Sequence, residues 1–424
     1  MSAWTAPVAT AGVRGHVAVP GSKSASARSL LLAALADGPS VLSGVLDSRD
    51  TTLMRVGLST LGAAFHDLPD GRLEVRPAVA VQGGGEIDCG LAGTVMRFLP
   101  PVAALASRPT RFFGDPHASA RPMTPLLGAL ASLGAAVSTP YQLPFTVASG
   151  AFHGGSVTVD ASGSSQFISA LLLAAARFID GIEVRHTGAT LPSLPHIEMT
   201  CQLLERRGVA VTRPGMNTWR VASGPIAALD EAVEPDLTNA ATLLAAALVT
   251  GGELTTSWPD GVQATSALAD ALAAFGGQLS YNGAGADRAI TLSGAGGLRG
   301  ADVDLAAISE FTPAAAALAA LAPGPSRIRG VAHIRGHETD RLAALSTELG
   351  RLGAAVRQTA DGLEFAPATL HGGSFATHAD HRMAHAGALI GLVTPGVELD
   401  DVACTTKTLP DFPGLWARLI GREA

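Results

Sequence analysis

Two hydrophobic periods alternate along this chain. Stretches rich in Ala and Leu, long enough for helices, break at Gly or Pro and pass into short β-branched runs, the change of period expected where a helix gives way to a strand. That phrase occurs six times, at Ala34-Leu35-Ala36-Asp37-Gly38-Pro39 and at residues 104–109, 175–181, 247–252, 320–325 and 389–396. A second phrase closes a helix with Gly, at Leu61-Gly62-Ala63, Leu133-Gly134-Ala135, Arg207-Gly208-Val209, Phe275-Gly276-Gly277 and Leu352-Gly353-Ala354, spaced by about 70 residues. The pattern predicts six units of mixed strand and helix, each with two helices. First helices should start at Ser22-Lys23-Ser24, Ala92-Gly93-Thr94, Ser164-Ser165-Gln166, Leu237-Thr238-Asn239, Glu310-Phe311-Thr312-Pro313 and Ala379-Asp380-His381-Arg382. Second helices should start near Asp50, Arg121-Pro122, His196, Gln263, Glu338-Thr339-Asp340 and Asp411.

Polar residues change this picture because they are scarce and gather at the helix starts. Such a start offers unpaired N–H groups and the positive end of the helix dipole, which attract phosphate and carboxylate. Capping alone accounts for the hydroxyls, but it needs no cation, and Lys or Arg stands beside several starts. The chain holds 29 basic residues, of which only Lys23 and Lys407 are lysines. A compact ammonium that can release its proton is chemically distinct from a guanidinium, so both lysines are candidates for chemistry.

Composition narrows the possible partners. With 424 residues, 47% hydrophobic and 15% charged, the chain can bury a large core spread over two or three domains. A net charge of -7 gives no general basic surface, so no nucleic acid partner is expected. Cys89, Cys201 and Cys404 form no CxxC pair and read as reduced thiols, with no metal site implied. The start at Met1 shows no basic-then-apolar export signal, and no apolar run reaches the roughly 18 residues of a membrane span. A cytoplasmic protein without membrane association is expected.

Pro20-Gly21-Ser22-Lys23-Ser24-Ala25-Ser26-Ala27-Arg28 resembles the opening signature of the 5-enolpyruvylshikimate-3-phosphate synthase family. Similar family motifs follow in order at Leu91-Ala92-Gly93-Thr94-Val95-Met96-Arg97, Ala120-Arg121-Pro122, Ser164-Ser165-Gln166-Phe167, Glu338-Thr339-Asp340-Arg341-Leu342, Asp380-His381-Arg382-Met383-Ala384 and Lys407-Thr408-Leu409-Pro410-Asp411. They span almost the whole chain. The resemblance implies an α/β (α+β) fold of two lobes, each of three βαβαββ repeats, the inverse α/β barrel of enolpyruvyl transferases, with substrates bound between the lobes. One lobe would be residues 21–233 and the other residues 1–20 plus 234–424, hinged near 20 and 234.

The implied reaction moves the carboxyvinyl group of phosphoenolpyruvate to the 5-hydroxyl of shikimate 3-phosphate and releases phosphate, as a step of aromatic amino acid biosynthesis. By resemblance, Lys23, Ser24, Arg28, Ser164, Ser165, Gln166, Ser193, His196, Glu310, His333 and His337 would hold shikimate 3-phosphate. Hydroxyls and helix N–H groups would take its phosphate, and Arg28 its carboxylate. Lys23, Gly93, Arg121, Gln166, Arg341, Arg382 and Lys407 would hold phosphoenolpyruvate, with Gly93 small enough to let the substrate approach the backbone. Lys23, Glu310, Glu338 and His381 are the implied catalytic residues: Glu310 beside the 5-hydroxyl, Glu338 and Lys23 transferring protons, His381 and Lys407 assisting the departing phosphate. No metal or organic cofactor is implied, and the enzyme would be a monomer.

Several positions depart from the commoner family pattern. Ala27 and Leu91 stand for asparagines, Phe98 for proline, His196 for tyrosine, Glu310 for aspartate, His333 for asparagine and His337 for lysine. A histidine at 337 would be charged only below its own pKa, which would make affinity for shikimate 3-phosphate fall as pH rises. Two rivals remain. The sister transferase acting on UDP-N-acetylglucosamine carries a reactive cysteine in the loop before its Arg-Pro, absent from Gly114-Asp115-Pro116-His117-Ala118-Ser119-Ala120-Arg121-Pro122. A non-catalytic repeat scaffold would not need Lys23, Glu310 and Glu338 together.

Overall fold

A helix that is buried around nearly its whole circumference needs neighbours on every side, and the first helix of each repeat is of this kind. In the computed structural model, which describes residues 3–421, the chain falls into two compact units, residues 21–234 and residues 1–20 with 235–424. The outermost residues of the second range, 1–2 and 422–424, lie outside the described residues. Residues 21–234 hold α1 (Lys23–Ala34), α2 (Arg49–Thr60), α3 (Gly93–Ala103), α4 (Thr124–Ser132), α5 (Gln166–Ala175) and α6 (Leu194–Arg206). The other unit holds α7 (Leu237–Thr250), α8 (Thr265–Ala274), α9 (Thr312–Leu321), α10 (Arg341–Arg351), α11 (His381–Gly391) and α12 (Phe412–Leu419).

Within each unit the odd-numbered helices form the centre. Every residue of α3 and of α11 is buried, as is all of α9 except Leu321. They pack on one another, α3 on α5 in one unit and α9 on α7 and α11 in the other. Alanine dominates α7 and α9 because helices packed on several sides leave little room for longer side chains. The even-numbered helices bury a single face; α10 places Leu342, Ala344, Leu345, Glu348 and Leu349 inward.

Among the described residues each unit carries three small sheets. In five of the six, two parallel strands lead and two antiparallel strands follow, so that Glu86–Asp88 pairs with Thr110–Phe113, then Phe145–Ala148, then Ala136–Val137. Read in chain order with α3 and α4, this is a βαβαββ repeat. Two repeats are completed from afar. Glu231–Ala232 supplies the leading strand beside Ser40–Ser43, and Arg14–Val17 supplies the one beside Glu253–Ser257. Trp4–Thr5 joins the last, three-stranded sheet by pairing with Val397–Leu399.

Helix starts follow the caps read from the sequence, with informative offsets. Ser22, Ser48, Asp236, Asp340, Asp380 and Asp411 each accept a hydrogen bond from a first-turn N–H. The second helices expected at Arg121-Pro122 and Gln263 begin later, at Thr124 and Thr265. Residues Pro116–Ala120 and Ala332–Gly336 form 3-10 turns ahead of α4 and α10. Arg121, His337 and Glu338 therefore sit on extended or turn backbone just before a helix, which lets their side chains turn toward its N-terminus. Among the described residues no helix is long and apolar enough to cross a membrane.

Candidate active site

In the unit of residues 1–20 and 235–424, helix starts bring opposite charges together. Arg341, the first residue of α10, is fully buried. Its Nε and Nη2 donate to the two oxygens of Asp380, at 2.7 and 3.2 Å. Its Nη1 donates to Glu310 Oε2 at 3.1 Å, and Nη2 also donates to Glu338 Oε2 at 3.1 Å. Lys407 Nζ donates to the other oxygen of Glu338 at 2.9 Å. Arg382, one residue into α11, donates from Nη1 to Asn239 Oδ1 at 2.6 Å, and its Nε lies 3.5 Å from Glu310. Two candidate proton-transfer carboxylates thus contact all three candidate phosphoenolpyruvate cations of this unit.

Electrostatics follow from that contact. Burial alone would raise the Glu310 carboxyl, but the Arg341 guanidinium and the His337 hydrogen bond outweigh it and hold the group well below the usual carboxylate range. Burial would likewise lower the Arg341 pKa, yet Asp380, Glu310 and Glu338 raise it well above the usual value. His337 Nδ1 lies 3.2 Å from Glu310 Oε1 and 3.2 Å from Arg341 Nη1. The imidazole at 337 accordingly faces a carboxylate and a guanidinium within its own unit. His333 packs edge-on against it, with ring centroids 5.7 Å apart. His381 is buried, with Nδ1 3.7 Å from Asp380 and its ring perpendicular to that of His385.

In residues 21–234 the arginines Arg28, Arg97 and Arg121 meet neutral partners. Arg28 on α1 is 1% exposed and donates to Thr200 Oγ1 at 2.8 Å, Ser24 O at 3.0 Å, Ser169 Oγ at 3.3 Å and His196 O at 3.1 Å. The face of Phe98 lies 5.0 Å from its guanidinium. Burial pushes the Arg28 pKa down to about 9, against a small opposing contribution from Cys201. Arg97 on α3 donates to Gln166 Oε1 at 2.8 Å and to Ser164 Oγ at 3.5 Å. Arg121 donates to Leu91 O at 3.2 Å. Lys23 Nζ is 4.0 Å from Asp50. Ser165 and Ser193 occupy the N-cap positions of α5 and α6, Ser193 with φ 51°.

The structure therefore joins Ser24, Arg28 and the His196 carbonyl in one group and Ser164 and Gln166, through Arg97, in another within residues 21–234, and Glu310, His337, Glu338, Arg341, Arg382 and Lys407 in the other unit. A Cβ on Gly93 would come within 2.9 Å of the Arg121 guanidinium, so the missing side chain makes room for that cation. Sequence reading did not single out Asp380, Asn239 or Arg97 as site residues. Asp380 was visible as the N-cap of α11, and Arg97 lies four residues from Gly93 on one helix face. Nothing in its spacing marks Asn239, 143 positions from Arg382.

Among the described residues no group of three or more His, Cys, Asp or Glu is placed to hold a metal ion. The family model of EPSP synthase (3-phosphoshikimate 1-carboxyvinyltransferase) matches residues 8–416. A 3-phosphoshikimate 1-carboxyvinyltransferase of Kocuria rhizophila is 51% identical over 437 residues, covering 99% of this chain and 97% of the relative. Two solved EPSP synthase structures from Acinetobacter baumannii, each 22% identical, share the fold with TM-scores of 0.81 and 0.79, covering 97% and 96% of this chain. The chain belongs to the EPSP synthase (3-phosphoshikimate 1-carboxyvinyltransferase) family.

Proposed function

We propose that this protein transfers the enolpyruvyl group of phosphoenolpyruvate to the 5-hydroxyl of shikimate 3-phosphate, a step of the shikimate pathway to aromatic amino acids. Family membership over nearly the whole chain supports the activity. The observation that carries the assignment of roles is the contact of Glu310 and Glu338 with Arg341 and Lys407. Carboxylates able to move protons stand directly on cations able to hold a phosphate and a carboxylate.

In this reading Arg28, Ser24, Ser164, Ser165, Gln166, Ser193 and His196 hold shikimate 3-phosphate, and His333 and His337 line its approach to Glu310. Arg121, Arg341, Arg382 and Lys407 hold phosphoenolpyruvate, with Lys23 serving both substrates and Gly93 keeping space for Arg121. The incoming anion takes over N–H groups that Glu310 and Glu338 now occupy, which releases both carboxylates for chemistry. Glu310 accepts the proton of the 5-hydroxyl as its oxygen attacks C2 of phosphoenolpyruvate. A proton from Glu338 or Lys23 reaches C3 in the same stage and gives a tetrahedral intermediate. Return of a C3 proton to the group that delivered it, as the C2–O bond breaks and its electron pair leaves with the phosphate, then restores the double bond. Lys407 and His381 assist the departing phosphate. The protein works as a cytoplasmic monomer, and the chain crossings near residues 20 and 234 act as the hinge.

Purified protein mixed with both substrates, without added metal, should release phosphate, whereas either substrate alone should release none. Glu338→Ala should cut turnover by about 100-fold or more, the usual range for a lost general acid–base group, while shikimate 3-phosphate still binds by calorimetry. Binding without turnover in the unaltered protein would favour the scaffold reading.

A further inference from the structure

The turn that delivers Asp380 and Arg382 is built from residues ill-suited to it. Asp380 N–H donates to Thr377 C=O at 2.9 Å, closing a four-residue turn. Its two central residues, His378 and Ala379, both have φ 54°. Positive φ at both central positions is the habit of Gly and Asn; a Cβ makes it unfavourable, and for Ala no polar side chain compensates locally. Such a conformation persists only where the surroundings over-determine it. Here they do. Thr377 donates from N–H and Oγ1 to Asp400 Oδ1, at 2.8 and 2.9 Å. Glu348, buried at 1% exposure on α10, accepts the Ala376 N–H at 3.1 Å on one oxygen and contacts His378 Nε2 at 3.0 Å with the other. Arg351 Nη1 reaches both Glu348 oxygens, at 2.9 and 2.8 Å.

The same helix grips the turn at both ends. Two turns before Glu348, Arg341 holds both oxygens of Asp380, and Asp380 Oδ1 accepts the Arg382 N–H at 2.9 Å. Wherever the turn sets Asp380, it sets the guanidinium of Arg341 and the backbone from which Arg382 projects with it. We infer that Glu348, through Ala376 and His378, is a positioning residue that holds the strained 377–380 turn and thereby aims Arg341 and Arg382. Glu348 itself touches no substrate. This inference rests on the proposed role of those two arginines in holding phosphoenolpyruvate.

Two variants test it in the full-length protein. Glu348→Gln keeps the side-chain shape and an acceptor but loses the charge on His378 and Arg351. It should raise the KM for phosphoenolpyruvate about tenfold, change kcat less, and leave the dissociation constant of shikimate 3-phosphate unchanged. Adding Ala379→Gly, which lets the backbone take positive φ unaided, should return the KM most of the way. Amide hydrogen exchange gives a readout independent of turnover: residues 376–382 should exchange faster in Glu348→Gln and recover in the double variant. Unchanged exchange across 376–382 would overturn the inference, as would equal weakening of both substrates or a loss that glycine does not rescue. If the unaltered protein showed no turnover while the exchange pattern held, the functional reading would fail and the structural role of Glu348 would stand.

Discussion

Three buried ionisable groups show how differently single residues are supported here. Arg341 is neutralised by three carboxylates, so its burial is compensated by charge. Arg28 is satisfied by hydroxyls, carbonyls and an aromatic face, which fix its geometry and leave its charge available to an anion. Among the described residues His385 has neither an opposite charge nor a hydrogen bond to its ring nitrogens: burial, then repulsion from Arg382 and Arg341, holds its imidazole well below the ordinary value, while Phe412 packs 5.0 Å from its ring. It is neutral in the folded protein at neutral pH. The unfolded chain takes up a proton near pH 6.5 that the folded chain refuses, so the stability is full above that pH and is lost as pH falls below it. The expected loss is up to about 1.4 kcal/mol per pH unit below 6.5. Thermal melts of the unaltered protein and of His385→Met at about pH 7.5 and about pH 5.5 check this. The unaltered protein should lose more on acidification, and identical losses would remove His385 as the cause.

At the scale of elements, alanine in the inner helices is a packing specification. Ala314 to Ala317 on α9 are at most 3% exposed, and α9 meets both α7 and α11. Ala317→Leu adds three carbons where no space exists, and overpacking of this kind costs about 1–3 kcal/mol. Urea denaturation should show a lower midpoint at unchanged slope, whereas an unaltered midpoint would mean that the helices can separate freely. These helices were legible in the sequence because their caps and all-round apolarity are local signals. The starts of α4 and α8 were displaced because residues 116–120 close as a 3-10 turn ahead of α4, while Gln263 lies in a bend ahead of α8 and its side chain bonds the Pro235 carbonyl and the Leu237 N–H.

At the scale of the molecule, the two units are separately closed. Ser22 N–H donates to Glu234 C=O at 2.7 Å, so the ends of residues 21–234 meet, and Glu231–Ala232 completes the first sheet beside Ser40–Ser43. Asp236 N–H donates to Pro20 C=O at 2.9 Å in the other unit. Residues 21–234 expressed alone are therefore expected to fold, with a single sharp thermal transition and without turnover. A fragment with helical circular dichroism but no cooperative transition would show that this unit needs the rest of the chain.

Helices, repeat period and the residues rich in charge could all be read from the chain itself, because capping, amphipathic period and family motifs are written over a few adjacent positions. The resemblance also led to Arg341, Glu338 and Lys407 before any geometry. What only the tertiary structure decided is who faces whom. Asp380 lies 39 positions from Arg341, Asn239 143 positions from Arg382, and Glu348 28 and 30 positions from the turn it grips. Of the strands that close the repeats, Glu231–Ala232 and Trp4–Thr5 are two residues long and carry no period of their own. Such pairings are set by the packing of helices against one another and by the cost of leaving a buried charge unpaired, neither of which leaves a periodic trace in the sequence.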